Sequence, residues 1–344
     1  MTKSLLRWIN LGFIVGAILL ALLFTILVLI ITGAPPLAAF RHILLGSIGS
    51  FSDVLVAVVP LMIVTTGLLA TFITGLWNIG IEGQITMGAI FTTAILRFFL
   101  NTHVSPFIVL VLAILAGMIG GGLWSSLVGL LKTYGGVNEI FGGLGMNFVA
   151  TTITLWLIFG PWKRPGVASM AGTEPFPDWM SLPTIRNLRL SIWTLVIALI
   201  SLFIIYIILN GTHFGLKLKA VGKNMRAAFL LGIPTVRLIL LSFIICGALG
   251  GLAGALQVTA VYHRLIPSIS SGYGYMGLMV AMLINLRAVW IIPIALFFAA
   301  LNIGSIQLPI MLQLDSSLAG VLQGALVLFV LMMDGLRQRL MRRS

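Results

Sequence analysis

Long apolar runs alternate with short polar segments along the chain, and the lengths of these runs predict membrane-spanning helices. A helix rises about 1.5 Å per residue, so roughly 20 apolar residues cross the hydrocarbon core of a bilayer. Beyond Lys3 and Arg7, the residues up to Ile31 contain no charged side chain. This run is too long for a signal peptide and predicts a retained first helix that starts in the cytoplasm.

Further apolar runs predict an all-α, polytopic membrane helix bundle of about ten spans. Residues 1–344 are accordingly expected to form a single transmembrane domain. Pro60 should kink the second span, because proline cannot donate a hydrogen bond inside a helix. The later runs lie near residues 54–73, 85–100, 106–131, 148–159, 190–209, 238–261, 278–286, 289–303 and 318–333.

Residues 75–88 interrupt this pattern, because glycines, Asn78, Glu82 and Gln84 lie there between two strongly apolar runs. An acidic side chain at the centre of a membrane helix costs about 2.5–3.5 kcal/mol and therefore usually faces protein or water. Non-helical backbone at that depth is confined to the same surroundings. We expect a broken helix that lines a polar pathway, whose three polar side chains bind a solute or hold the break open.

Two other interpretations of this stretch stay open. It could be a bend near the cytoplasmic surface, because the sequence does not fix its depth. Glu82 could also serve only as the N-cap of the following helix or as the partner of a nearby cation.

A second polar stripe precedes the run that ends at Phe159. Glu139 and Asn147 are eight residues apart and so fall on similar faces of a helix, which could look inward. Asn138 and Glu139 are equally well explained as residues that start this helix.

Two hydrophilic segments are long enough to be major loops. Residues 160–189 are rich in proline and too polar to cross a membrane. Within residues 211–236, Asn224 to Leu231 can form a short amphipathic helix, with Lys223 and Arg226 basic and with Gly232 and Pro234 ending it. Its composition equally allows a basic helix held by anionic membrane lipid.

Composition and charge agree with a membrane protein and set its orientation. The chain is 60% apolar and 8% charged, with a mean hydropathy of +1.18. Its net charge of +13 does not indicate nucleic-acid binding, because the basic residues lie at the ends of apolar runs. Thirteen of the 20 lysines and arginines fall on one side, which predicts cytoplasmic termini, an outer 160–189 loop and an inner 211–236 loop.

The sequence holds few residues that carry catalytic chemistry. Cys246 stands alone in an apolar segment, where it is expected to pack as a small buried residue, and the four histidines lack metal-ligand spacing. Motifs of intramembrane hydrolases are missing. The phosphate-binding Gly-x-x-x-x-Gly-Lys-Ser/Thr loop is also missing, so any ATP that drives this chain must be hydrolysed by another polypeptide.

Several motifs resemble one family of transporters. Asn78-Ile-Gly-Ile-Glu-Gly-Gln84 resembles the signature of permease subunits of bacterial ABC importers in the branched-chain amino acid and simple sugar superfamily, and is most similar to the nucleoside-type branch. Val137-Asn-Glu-Ile140 with Met146-Asn147 resembles a second element of that branch, and Gly272-Tyr-Gly-Tyr-Met-Gly277 a third. Residues 212–233 resemble the cytoplasmic loop that couples such permeases to their ATPase.

The resemblance implies the partners and the site residues. It implies a cytoplasmic ABC ATPase that binds ATP and Mg²⁺, a second and paralogous permease subunit, an extracytoplasmic solute-binding protein and a bacterial plasma membrane. No cofactor is expected in this chain. The implied solute pathway comprises Asn78, Gly80, Glu82, Gln84, Asn147, Tyr273 and Tyr275. The implied ATPase contact comprises Gly222, Asn224, Arg226, Ala227, Ala228, Gly232 and Ile233.

The expected function is therefore inward transport of a nucleoside or related small polar solute, without enzymatic activity in this chain. Simple sugars and branched-chain amino acids are alternative solutes, since each needs only a few hydrogen bonds in an apolar frame. A transporter of another class, driven by protons or sodium through Glu82, is the main rival.

Overall fold

The computed structural model describes residues 3–164, 166, 172–185, 190–284, 286–313 and 317–343. These residues are predominantly helical and contain no β-strand, which confirms the all-α prediction. A π-helix at Gln257–Tyr262 continues α10, and 3₁₀ turns occupy Asp178–Met180 and Ala288–Trp290. The α-helices are α1 (Lys3–Ile31), α2 (Pro36–Gly49), α3 (Phe51–Phe72), α4 (Ile81–Phe99), α5 (Pro106–Thr133), α6 (Glu139–Phe159), α7 (Ile192–Gly211), α8 (His213–Lys223), α9 (Met225–Leu230), α10 (Thr235–Leu256), α11 (Tyr273–Leu283), α12 (Ile291–Ser305), α13 (Gln307–Leu312) and α14 (Leu318–Arg343).

Six helical segments in the described part of the chain are long and apolar enough to cross a membrane. A seventh arises if α1 and α2, which meet at a bend of 113°, count as one broken span. Two shorter apolar helices are α11 and the Gly320–Met333 part of α14. The polytopic bundle is thus confirmed, whereas the predicted number of ten spans is not.

The chain divides into two compact units, one formed by Met1–Val54 with Leu296–Ser344 and the other by Leu55–Ala295. In the first unit α1 packs along α14, where the rings of Phe24 and Phe329 meet edge to face at 5.9 Å. The expectation of one domain over the whole chain stays a prediction. All the predicted site residues belong to the second unit.

Glycines allow α4, α5 and α10 to pack closely in the second unit. A side chain at Gly88 of α4 would collide with the backbone of Gly251 on α10, and one at Gly121 of α5 would collide with the backbone of Gly247. Small residues let helix backbones approach in this way when lipid surrounds the bundle. These glycines therefore bring the backbones of α4, α5 and α10 into close contact.

The glycine contacts also show where α4 begins. Gly250 faces Ile81 and Gln84, and Gly254 faces Ile85 and Ala89, so α4 and α10 run in parallel. Gly250 lies fifteen residues into α10, which is roughly 22 Å along the helix axis. The first turn of α4 is therefore deep within the bundle, and the alternative of a surface bend does not describe it.

The loop between α6 and α7 is tied to the end of the π-helix. Backbone N–H groups of Thr173, Phe176 and Leu182 donate to the carbonyls of Leu265, His263 and Thr259 at 2.8 to 2.9 Å. Residues 165, 167–171 and 186–189 of this predicted outer loop lie outside the described residues. The described part of the loop therefore supplies partners for backbone at the end of the π-helix.

Candidate functional site at the helix break

The interruption predicted at residues 75–88 is real but shorter than expected. Helix α3 ends at Phe72, the chain turns through Gly75 with φ +79°, and α4 begins at Ile81, so Ile81 to Gly88 is regular helix. Helix ends leave backbone N–H and C=O groups without partners, and burial makes unpaired groups costly. The polar side chains around the break supply those partners.

Asn78 and Gln84 form a reciprocal amide pair that is closed off from solvent. The Nδ2 of Asn78 donates to Oε1 of Gln84 at 3.1 Å, and the Nε2 of Gln84 donates to Oδ1 of Asn78 at 2.9 Å. Asn78 Nδ2 also donates to the Cys246 Sγ at 3.1 Å. Both amides are fully buried, so the pair holds residues 78–84 against α10.

Asn147 of α6 completes the hydrogen bonding of the break. Its Oδ1 accepts from the N–H of Gly83 at 2.8 Å, and its Nδ2 donates to the carbonyl of Ile79 at 2.9 Å. The Tyr275 hydroxyl accepts a longer bond from the same Nδ2 at 3.5 Å. One side chain thus pairs a backbone donor and a backbone acceptor that the missing turn of helix leaves free.

Glu82 caps a helix that lies about 190 residues further along the chain. Its two carboxylate oxygens accept from the N–H groups of Gly272 at 3.0 Å and Gly274 at 2.7 Å, at the start of α11. An anionic group is favourable there because the N-terminal end of a helix carries partial positive charge. The capping role considered from the sequence is present, but on α11 instead of α4.

Two interrupted helices therefore meet at Glu82. The carboxylate belongs to the first turn of α4, and it binds the first turn of α11. A side chain at Gly274 would collide with the Glu82 carboxylate, so only glycine allows this approach. Converging half-helix ends of this kind build the solute sites of many transporters.

The remaining pathway residues surround the same break. A Cβ atom at Gly80 would lie 3.1 Å from the Cα of Gly143, so α6 approaches the break closely. Tyr273 is buried at the start of α11, whereas Tyr275 is 41% exposed. Together with the polar network, the structure gathers all seven predicted pathway residues around the starts of α4 and α11.

Two contacts near the site were not anticipated. Cys246 was expected only to pack, but it also accepts the hydrogen bond from Asn78. Glu139 forms an ion pair with Lys132 at 2.7 Å, a pair for which the sequence offered a signal, since opposite charges flank one short loop. The Asn138 side chain accepts from the N–H of Ile140 at 2.9 Å, as its predicted helix-start role requires.

The 211–236 loop folds into two capped helices. The side-chain oxygen of Thr212 accepts from the N–H of Gly215 at 3.2 Å to start α8, and that of Asn224 accepts from Ala227 at 3.0 Å to start α9. Gly232, with φ +78°, ends the second helix. The short helix predicted from Asn224 is confirmed, whereas α8 was not predicted.

Helix α9 presents an apolar surface that no described residue of the second unit covers. Phe229, Leu230 and Leu231 are 68%, 84% and 80% exposed, and Arg226 is exposed beside them. Ala228 points inward and is buried, while Ala227 is exposed. A contiguous exposed apolar patch of this kind typically marks a binding surface for protein or membrane.

Gly222 joins this loop to the helix break. It lies at the end of α8, and a side chain there would collide with the backbone of Ile73 and Thr74. Gly75 in turn faces the Gly222 carbonyl. The backbone that leads into α9 is therefore in direct contact with the backbone that leaves α3.

Comparisons with known proteins agree with one another on a family. The model of the family described as branched-chain amino acid transport system / permease component matches residues 50–331. The chain is 28% identical to the guanosine ABC transporter permease protein NupP of Bacillus subtilis, over 91% of each chain. It is 27% identical to the nucleoside ABC transporter permease protein NupB of Lactococcus lactis subsp. cremoris, over 86% of this chain and 81% of the relative.

A third relative carries another solute in its name. The glucose ABC transporter permease protein TsgB13 of Haloferax volcanii is 26% identical over 96% of this chain and 89% of its own length. No solved structure matches the chain significantly. The relatives therefore share a transport role but differ in the solute that they are named for.

Proposed function

Because the chain belongs to the family of branched-chain amino acid transport system permease components, we propose that this multi-pass membrane protein carries nucleosides into the cell as the permease subunit of an ABC importer. The observation that supports a transport site is the meeting of the α4 and α11 half-helix starts at Glu82, deep within the bundle. Half-helix ends are suited to solute binding because their free backbone groups and dipoles face the pathway.

The preference for nucleosides rests on the relatives and on the chemistry of the site. Two of the similar permeases are named for guanosine or nucleosides. A nucleoside offers hydroxyl and base edges for hydrogen bonds and an aromatic face for stacking, and the exposed ring of Tyr275 stands beside Asn147. Glucose is the second candidate, because a relative that matches 96% of this chain is named for it.

Five of the seven pathway residues have one of two proposed roles. Asn78, Gln84 and Asn147 hold the break in shape, because their amides are buried and bonded to one another or to backbone. Glu82 and Tyr275 are the groups that a solute reaches first, because both are partly exposed. A solute that binds here competes for the N–H groups of α11 that Glu82 now holds.

The 211–236 loop is the proposed route by which energy from ATP hydrolysis reaches the solute site. A cytoplasmic ABC ATPase, which binds ATP and Mg²⁺, docks on the exposed face of α9 around Arg226. Movement of α9 then reaches residues 73–75 through the backbone contact at Gly222. This chain needs no enzymatic activity or cofactor of its own in such a mechanism.

The remaining partners follow from the same family assignment. A solute-binding protein delivers the nucleoside from outside near the 160–189 loop, and a second, paralogous permease completes the membrane assembly. The termini lie in the cytoplasm, and the membrane is the bacterial plasma membrane. Membrane lipid surrounds the bundle, and nucleic acid has no role.

Uptake by the reconstituted transporter tests the proposal. The chain would be expressed with the ATPase, permease and binding-protein genes that neighbour its own and assembled in vesicles with ATP inside. Radiolabelled guanosine should enter, excess inosine should block it and excess glucose should not. Uptake of glucose instead would favour the second candidate, and uptake by this chain alone under an ion gradient would replace both with a secondary transporter.

A further inference from the structure

A small cavity lies between α3, α7 and the start of the π-helix, away from the helix break. Its lining is apolar except near Ser191, Thr194 and Gln257. The space open to the centre of a water molecule is about 10 Å³, which is about the amount that one bound water requires. A sugar or a nucleoside cannot enter a cavity of this size.

Two buried polar side-chain atoms at this cavity have no hydrogen-bond partner among the described residues. Gln257 and Ser191 are each 2% exposed, and neither the Oε1 of Gln257 nor the Oγ of Ser191 takes part in a hydrogen bond. Buried polar groups in proteins are almost always satisfied, by protein or by ordered water. Leaving both groups without a hydrogen bond would destabilise the folded protein.

Ser191 is unusual for its position. It precedes α7 as the N-cap residue, where a serine side chain normally accepts a hydrogen bond from the first turn of its own helix. The Ser191 side chain makes no such bond. Instead, the Ser191 carbonyl accepts from the side-chain hydroxyl of Thr194 at 2.7 Å. The Ser191 hydroxyl can therefore form a hydrogen bond to a molecule in the cavity.

Helix α3, on the third side of the cavity, contributes a hydrogen-bond acceptor. Pro60 of α3 has no N–H, so the carbonyl of Val56, four residues earlier, lacks the partner that it would have in an unbroken helix. Both residues line the cavity. Gln257 is also the first residue of a π-helix, a rare irregularity that is found frequently at functional sites.

We infer that this cavity is a binding site for one ordered water molecule, which joins α3, α7 and the π-helix. The water accepts from the hydroxyl of Ser191 and donates to the Oε1 of Gln257 and to the freed carbonyl of Val56. These three bonds match the usual number made by a buried water. The site is distinct from the break at residues 73–80 and does not depend on which solute is transported.

Direct observation is the first test. The assembled transporter would be imaged in lipid nanodiscs at a resolution that shows ordered water, once without solute and once with saturating inosine. We expect a density peak within hydrogen-bond distance of Gln257 Oε1 and Ser191 Oγ in both maps. The inference fails if both side chains turn onto new protein partners around an empty cavity, or if the peak appears only with inosine.

Paired substitutions give an independent test. Gln257→Leu and Ser191→Ala each remove one partner of the water, and each should lower the unfolding temperature by roughly 2–4 °C. The double variant should melt close to the less stable single variant, because the water is already lost. Shifts that simply add would contradict a shared ligand.

Two hydroxyls elsewhere on the same elements provide matched controls. Thr259 in the π-helix donates to the Ala255 carbonyl at 2.9 Å, and Ser201 in α7 donates to the Ile197 carbonyl at 2.7 Å. Neither side chain lines the cavity. Thr259→Val and Ser201→Ala should each leave the water peak in place, and the effect of Ser201→Ala on the unfolding temperature should add to that of Gln257→Leu.

Discussion

At the scale of single residues, the helix break is stabilised by side chains that replace backbone hydrogen bonds. The amides of Asn78, Gln84 and Asn147 are each bonded through both their oxygen and their nitrogen. In a region of low dielectric constant a fully bonded network is favourable, and a partly bonded one is costly. The break is therefore expected to keep one shape as long as every member of the network is present.

Asn147→Ala tests this dependence. The change would leave the Gly83 N–H and the Ile79 carbonyl without partners, and each buried unpaired group costs about 1–3 kcal/mol. We expect the free energy of unfolding in detergent to fall by about 2 kcal/mol or more. Thr152→Ala is the control, because Thr152 is exposed on the same helix and its hydroxyl donates to the Phe148 carbonyl. An equal loss in both variants would rule out a special role for Asn147.

Glu82→Gln separates a capping role from a role in ion coupling. The amide keeps the size of the side chain but has one acceptor oxygen instead of two, so one charge-assisted bond to α11 is lost, worth about 1.5–3 kcal/mol. The free energy of unfolding should fall by about that amount. Uptake by the folded protein should still require ATP and should not depend on a proton gradient. Glu174→Gln, at an exposed position in the predicted outer loop, should change neither property.

The opposite result for Glu82 would be equally clear. If vesicles that contain wild-type protein alone accumulate solute under a proton gradient, and Glu82→Gln abolishes this uptake, the carboxylate carries protons. The capping bonds to Gly272 and Gly274 would then belong to only one state of a proton-transport cycle.

The sequence identified the polar residues of the site but not their partners. Asn78, Glu82, Gln84 and Asn147 are conspicuous because polar side chains are rare within apolar runs. Their bonds, however, reach Cys246 and α11, which lie 168 and about 190 residues away. Contacts at such distances depend on how helices pack, which the local pattern of one sequence does not contain.

At the scale of secondary-structure elements, the contact between α8 and the end of α3 connects the 211–236 loop with the site. Gly222 allows the two backbones to touch, since any side chain there would displace the Ile73 carbonyl. Because packed elements move as units, we expect a displacement of α9 and α8 to be transmitted to residues 73–75. This contact links the backbone next to the proposed ATPase surface with the start of the break.

Gly222→Ala is expected to uncouple the two sites. The added methyl group must push α8 away from α3, while the exposed face of α9 is unchanged. Association with the ATPase should therefore be preserved and ATP-driven uptake should fall at least severalfold, as measured by co-purification and by vesicle uptake. Gly211→Ala is the control, because its methyl group would meet only the Ile207 side chain, at 3.7 Å; normal uptake by Gly222→Ala would exclude the proposed link.

Helix α8 and the π-helix were not predicted, for different physical reasons. Helix α8 buries Gly215, Leu218 and Val221, which are spaced at helical intervals, so a signal existed but was weak beside the lysines between them. The π-helix at the end of α10 has no comparable signal, because its wider turn depends on tertiary contacts such as the bond from Leu182 to the Thr259 carbonyl.

At the scale of the whole molecule, the described helices do not confirm ten spans, because half-helices resemble spans in sequence. Helix α11 has 11 residues, or about 16 Å of helix, which cannot cross a core of roughly 30 Å. Helix α4 starts deep beside Gly250 rather than at the end of the bundle. Apolar run length measures how much chain is buried, but it does not show whether the chain crosses the membrane or turns back.

The proposed assembly with an ATPase makes a prediction about charge. Arg226 is exposed on α9 beside three exposed apolar side chains, a combination suited to a docking surface on another protein. Arg226→Glu reverses this charge and should reduce uptake and ATPase association together, by about tenfold or more if one close charge pair is lost.

Lys163→Glu distinguishes a local effect of that reversal from a general effect of charge. Lys163 is exposed in the segment predicted to lie outside, so the same change in net charge occurs away from the proposed ATPase surface. Its ATPase association should match that of the wild type. If Arg226→Glu also binds the ATPase normally but no longer binds α9 to anionic vesicles, α9 contacts lipid instead of the ATPase. Reversing the charge of a residue that docks on the ATPase would have weakened that complex.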